Sequence, residues 1–231
     1  MANNFIVAPS PHMHSVESTR SLMRDVLIAL IPALVVSTVV YGLDVLKVTA
    51  IAVASCVLIE YLIQKYLIKG PSTIGNLSAV ITGVLLAFNL PANIPWWIIV
   101  VGALVAIGVG KMTFGGLGRN PFNPALVGRV FLLIAYPVQM TSFPQPTMSK
   151  FVDTFSGATP LAAIKAGGDV ASVDLMSMFG GVMAGSLGEI AAAALIVGGG
   201  YMLWRKVITW HIPVAVLGTM ALFAFVVAIF E

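Results

Sequence analysis

Thr159 offers a hydroxyl among residues that leave room around it. It sits in the string Ser156-Gly157-Ala158-Thr159-Pro160-Leu161, and Asp153 lies three residues ahead of Ser156. A threonine followed by proline reads as a helix N-cap with proline in the first helical position. Leu161 to Ala166 would then form a short helix, ended by Gly167-Gly168. On local grammar alone, capping accounts for the string. The same position also suits a phosphoester, because the unpaired amides and the dipole at a helix N-terminus favour anions. Gly157 and Ala158 leave the backbone open to a bulky group and to a modifying enzyme, and Asp153 could help hold a metal during the transfer. The two readings do not compete.

Three charged side chains, Glu60, Arg129 and Glu189, lie within otherwise apolar runs. Charge at membrane depth is costly and often marks a functional site. Each has a structural alternative. Glu60 stands less than two turns from Lys65 and could snorkel beside it. Arg129 lies near an irregular helix start, where free carbonyls need donors. Glu189 falls near the outer end of its span, on the same side as Thr159. Asn76, Asn120 and Asn123 flank two irregular segments, where capping of broken helix ends is their simplest role. The single cysteine, Cys56, sits in an apolar run and reads as a packing residue. One cysteine and three scattered histidines leave no disulfide framework, iron–sulfur cluster or zinc site in view.

The elements that must position these residues are apolar helices. Of 231 residues, 59% are hydrophobic and only 9% are charged, against about a quarter charged in an average soluble domain. This composition points to an all-α integral membrane protein. The net charge of +3 is spread through loops and forms no nucleic-acid patch. We read about seven spans, at roughly 25–43, 45–66, 77–90, 96–114, 123–140, 185–204 and 208–230. The third is too short to cross and the fifth opens on Asn120-Pro121-Phe122-Asn123-Pro124, so broken helices are expected. Residues 1–24 form a polar N-terminal segment without the apolar core of a cleavable signal. Residues 25–140 form a first membrane repeat, 141–184 a long loop, and 185–231 a second, incomplete repeat. Gly198-Gly199-Gly200 is expected to allow close helix packing. With the N-terminus in the cytoplasm, nine of the twelve Lys and Arg fall on the cytoplasmic side, all but Lys47, Lys150 and Lys165. That topology puts the Thr159 loop outside.

Further strings along the chain carry a resemblance. They include Ser10-Pro11-His12-Met13-His14-Ser15, Asp25 to Leu30, Asn76 to Gly83, and Gly118-Arg119-Asn120-Pro121-Phe122-Asn123-Pro124-Ala125, besides Ser156 to Leu161 and Gly188-Glu189. Together they resemble the NqrB/RnfD family of flavin-bearing membrane subunits, found in Rnf complexes and the sodium-pumping NADH:quinone oxidoreductase. The Ser-Pro-His element is closer to the Rnf branch. The string from Asp153 to Thr159 resembles the acceptor at which a flavin transferase esterifies FMN phosphate onto threonine. The resemblance implies covalent FMN on Thr159, with Ser156, Gly157, Ala158 and Asp153 around it. It allows a second, non-covalent flavin (riboflavin) or an ion path near Asn76, Asn120, Asn123, Arg129 and Glu189. It further implies a prokaryotic cytoplasmic membrane, other Rnf-type subunits including a second covalent-flavin subunit, and an extracytoplasmic flavin transferase. Electron flow between ferredoxin and NAD would be coupled to Na+ or H+ movement. The implied architecture is a urea-transporter-like bundle of two inverted five-helix repeats, of which the second is here incomplete, so a larger assembly is expected to cover the open face. A urea-transporter-type solute channel without a redox role is the rival expectation, and covalent flavin separates the two.

Overall fold

The computed structural model describes residues 18–70, 72–144, 156–157, 159, 165, 179–180, 184–190 and 192–230. Asp153, Ala158, the polar segment up to residue 17 and most of the expected helix after Thr159 lie outside the described residues.

Helix α1 (Thr19–Tyr41) starts where Ser18 accepts a hydrogen bond from the Ser21 amide at 3.2 Å. It ends at Gly42, whose φ of 77° is open to glycine and lets the chain reverse at once into α2 (Asp44–Leu62). Helix α2 runs on through wide, π-type turns over Ile63–Ile68. These two helices are long and apolar enough to cross a membrane, and five shorter apolar helices follow. Helix α3 (Ser78–Phe88) is as short as expected. A single 3₁₀ turn (Ile74–Asn76) and Leu77, held left-handed at φ 62°, lead into it. Helix α4 (Trp96–Leu104) also relaxes into wide turns, over Val105–Met112. Helix α5 (Pro124–Ala135) breaks at Tyr136 because Pro137 has no amide to continue the ladder, and α6 (Pro137–Thr141) follows at once, within the run expected for the fifth span. Two-residue strands β1 (Phe143–Pro144) and β2 (Ser156–Gly157) pair antiparallel. Helices α7 (Ala192–Trp204) and α8 (His211–Phe230) close the described chain.

The core gathers side chains from α2, α3, α4 and α5, among them Val48, Cys56, Leu86, Ile98, Ile99 and Leu132. Cys56 is fully buried there, in keeping with its packing role. Helix α7 lies against α1 so closely that a Cβ on Gly198 would sit 2.1 Å from the Ala29 carbonyl oxygen. Of the three consecutive glycines, the crossing uses Gly198; Cβ atoms on Gly199 and Gly200 would meet nothing within 4 Å among the described residues. Asp25 fastens the same pair, its carboxylate accepting from Arg205 at 3.2 Å and from the Tyr201 hydroxyl at 3.4 Å. From Val214 to Val227, α8 keeps exposed apolar side chains, a surface suited to lipid or to neighbouring helices.

Two expected boundaries shift. The first span was expected from about residue 25, after a polar segment 1–24, but α1 already starts at Thr19, because Ser18 caps it there. The sixth span was expected from about residue 185, but α7 starts at Ala192, and 184–190 runs in turns. Gly185-Ser186-Leu187-Gly188 is a poor helix former, and the Leu187 and Gly188 amides bond to the end of α3 instead. The third span is therefore not the only interrupted one.

Candidate functional site

A helix end within a membrane must find partners for its last carbonyls. The broken end of α3 finds them in the 184–190 segment. The Leu187 amide donates to the Leu90 carbonyl at 3.2 Å and the Gly188 amide to the Phe88 carbonyl at 2.8 Å. Helix α1 holds the segment's other side: Ser37 donates its hydroxyl to the Leu187 carbonyl at 2.6 Å, and the Tyr41 hydroxyl accepts from the Gly185 amide at 3.2 Å. Leu187 and Ile190 are fully buried.

Arg129, from the middle of α5, meets this junction. Its Nη1 donates to Asn89 Oδ1 at 2.7 Å, and its Nη2 lies 3.6 Å from Glu189 Oε1. Asn89 in turn donates to the Leu85 carbonyl at 2.7 Å, and Glu189 accepts from the Ser186 amide at 3.3 Å. Two residues singled out separately in the sequence thus form one cluster. Arg129 serves a side-chain amide, not the free carbonyls expected, and its charge favours the negative end of the α3 dipole. Glu189 lies in the turn before α7, not within the span, and is 52% exposed. Replacing Arg129 by leucine removes the donor to Asn89 and the partner of Glu189. We expect the Leu187 and Gly188 amides to exchange hydrogen roughly tenfold faster or more, the loss of a charged hydrogen bond being about 1.5–3 kcal/mol. Unchanged exchange at these two amides would dismiss the cluster as the clasp of the junction.

A second polar centre lies at the other end of α3. Lys111 Nζ donates to Glu60 Oε2 at 2.6 Å and to Ser78 Oγ at 2.7 Å, with both charged side chains almost wholly buried. Glu60 Oε1 accepts from the Thr73 hydroxyl at 3.1 Å and from the Gln64 amide at 3.3 Å, while Gln64 also donates to Thr73 Oγ1. Glu60 therefore does not snorkel beside Lys65, which instead donates to the Tyr61 hydroxyl at the exposed surface. Lys111 and Ser78 also wall a cavity of about 340 Å³ with Thr82, Asn120, Phe122 and Asn123, against the apolar Ile81 and Leu85. Asn123 caps α5 through its Oδ1, which accepts from the Ala125 amide at 3.0 Å. Asn120 donates to the Phe122 carbonyl at 3.1 Å. Asn76 ends the 3₁₀ turn and does not reach this cavity wall.

The string around Thr159 is brought back to the residues just after α6. Ser156 pairs with Pro144 and Gly157 with Phe143, so Thr159 follows two residues after a backbone bridge and is half-buried. Sequence reasoning missed Asn89 and the structural use of Lys111. Each had a signal. Asn89 is a polar residue at the end of a span too short to cross, and Lys111 falls inside the apolar run expected for the fourth span.

Comparison with known proteins identifies the family. The family described as NQR2, RnfD, RnfE matches residues 6–231. The D subunit of the Na+-translocating ferredoxin:NAD+ oxidoreductase complex of Acetobacterium woodii is 49% identical, over 97% of this chain and 70% of that protein. Its counterpart in the proton-translocating ferredoxin:NAD+ oxidoreductase complex of Clostridium ljungdahlii is 36% identical, over 95% of this chain and 68% of that protein. The counterpart in an ion-translocating oxidoreductase complex of Escherichia coli is 35% identical, over 95% of this chain and 72% of that protein. With two helices long and apolar enough to cross a membrane and five shorter apolar ones among its described residues, the chain belongs to the NQR2, RnfD, RnfE family of membrane proteins.

Proposed function

We propose that this chain is the covalent-flavin membrane subunit of an ion-translocating ferredoxin:NAD+ oxidoreductase. The observation that carries the reading is the 49% identity, across nearly the whole chain, to a relative whose complex is named for that reaction. Thr159 is the attachment residue, its hydroxyl oxygen forming the phosphoester to FMN. Its setting fits: a half-buried threonine lies two residues after Gly157, whose backbone bridge ties the string to Phe143. The cavity by Asn120 and Asn123 fits a second, non-covalent flavin such as riboflavin. Its size lies in the range of ligand pockets, and it sets amides, hydroxyls and an ammonium against an apolar wall. When bound, the isoalloxazines supply one- and two-electron transfer; the protein binds, orients and tunes them.

The partners are the other membrane subunits of the complex, including a second one with covalent flavin, and an extracytoplasmic flavin transferase. The coupling ion is Na+ or H+, since the named relatives differ on this point. The chain lies in the cytoplasmic membrane of a prokaryote with its N-terminus inside. Peptide mass spectrometry tests the attachment. Protein made together with a flavin transferase should carry the FMN phosphoryl mass on the tryptic fragment from Phe151 to Lys165. An unmodified fragment under those conditions refutes it. Sidedness has its own test. In a Cys56→Ala background, Lys165→Cys should react with an impermeant thiol reagent in intact cells stripped of any outer membrane, Lys165 being exposed. Labelling only after lysis would reverse the topology.

A further inference from the structure

Two buried charges at the start of α3 do more than tie helices together. We propose that Lys111, counterbalanced by Glu60, donates to an electronegative edge of the ring held in the Asn120–Asn123 cavity and sets how readily that ring accepts negative charge. The proposal rests on the second-flavin reading above and deepens it.

The donor count is the first argument. A lysine ammonium has three N–H groups. Glu60 and Ser78 take two of them, and Lys111 itself walls the cavity, where the third has no partner among the described residues. The arrangement of the pair is the second. Lys111 borders the cavity and Glu60 does not, so the cationic member of the pair is the one next to a bound ring. Both Glu60 oxygens are occupied, Oε2 by Lys111 and Oε1 by Thr73 and Gln64, so the counter-charge is held in place. The backbone is the third. Wide turns lie next to Glu60 on α2 (Ile63–Ile68) and include Lys111 after α4 (Val105–Met112), while left-handed Leu77 immediately precedes Ser78. Such departures from regular geometry concentrate at functional sites. A plain cross-link between helices would need neither these turns nor a cavity beside it. The wall is also two-faced: Ile81, Leu85 and Phe122 offer apolar surface to a ring, and the Asn123 amide and the ammonium offer donors to its edge.

The couple concerned is two-electron reduction of the ring with uptake of one proton from water, which leaves one negative charge on it. A reduced covalent flavin of the complex would supply the two electrons, returning to its oxidised ring and releasing its proton to solvent. An adjacent ammonium favours that product, and the carboxylate behind it moderates the effect.

The test uses the assembled complex. Non-covalent flavin is counted after acid release, covalent flavin by in-gel fluorescence, and the reduction equilibrium of the non-covalent flavin by spectroelectrochemical titration. Glu60→Gln, which leaves the ammonium unbalanced, should shift that equilibrium towards reduction at least about tenfold, or about 30 mV for a two-electron couple. The neutral pair Lys111→Met with Glu60→Gln leaves no buried charge unpaired and should shift it the other way. Loss of the flavin from this double variant alone would equally support direct contact. Shifts below tenfold, shifts of one sign, or equal loss of the flavin from both variants would overturn the proposal and leave a structural tie. Absence of non-covalent flavin from the wild-type complex, or its full retention in Asn123→Leu, would instead overturn the second-flavin reading and this proposal with it.

Discussion

Thr159→Ala is expected to abolish flavin fluorescence of the denatured chain completely, and Thr159→Val likewise, because neither offers an oxygen to the phosphoryl group. Thr159→Ser should keep part of the signal, since a hydroxyl remains but the β-methyl that restricts its rotamer is lost. Ser156→Ala serves as the control for the acceptor. Ser156 pairs through its backbone with Pro144, and an alanine retains that bridge. Its fluorescence should therefore persist. The scale is all or none, as a covalent bond either forms at this oxygen or does not. Ultraviolet imaging of gels of the denatured complex reads the whole series at once. Fluorescence surviving in Thr159→Ala would move the attachment to another hydroxyl. No fluorescence in any variant, the unmutated chain included, would favour the channel-like alternative.

Lys111→Met is expected to be the most destabilising single substitution in the described bundle. It leaves the Glu60 carboxylate wholly buried with only the neutral donors of Thr73 and Gln64. Removing one partner of a buried ion pair typically costs about 3–5 kcal/mol. The cost has a diagnostic shape. Adding Glu60→Gln to Lys111→Met should recover most of it, since the uncompensated charge is then gone and Gln can still bond Thr73. A double-mutant cycle on the fraction of complex surviving a heat challenge measures this. Additive losses in the double variant would mean that the two side chains stabilise the bundle independently, contrary to their 2.6 Å contact. The pair also joins three helices, α2, α3 and the continuation of α4, so its loss should loosen the start of α3 before the distant α1–α7 contact.

Much was legible in the amino-acid sequence because it depends on composition and local grammar. A chain that is 59% hydrophobic and 9% charged cannot be an ordinary soluble domain. Apolar run lengths marked the helices, including a third one too short to cross, since the number of residues needed to span hydrocarbon is set by helix rise alone. Asn123 as the cap of α5 followed from its place before Pro124. The seclusion of Cys56 followed from the apolar run around it. Family membership was legible too, because short strings such as Gly118 to Ala125 carry the resemblance without any knowledge of the fold.

Partnership between distant residues was not legible. Nothing local tells Glu60 to choose Lys111 over Lys65, which is nearer in the chain. Lys65, in the wide turns after α2, projects to the exposed surface and Glu60, on α2, into the bundle, and only the packing of α2 against the wide turns after α4 brings the buried ammonium within 2.6 Å. Nor could run length reveal that 184–190 leaves the helical path. Its Gly-Ser-Leu-Gly string only weakens a helix, and it is the carbonyls of Phe88 and Leu90, far away in the chain, that take its amides. The meeting of Arg129, Asn89 and Glu189, and the bridge that returns Ser156-Gly157 to Phe143-Pro144, have the same origin. Sequence by itself determined that the chain is built of apolar helices, roughly where they run, and which hydroxyl to test for modification, because those follow from neighbours a few positions away. Tertiary structure alone decided which buried charges and broken helix ends satisfy one another, because that depends on contacts between groups far apart in the chain, each too costly to leave unpaired in an apolar medium.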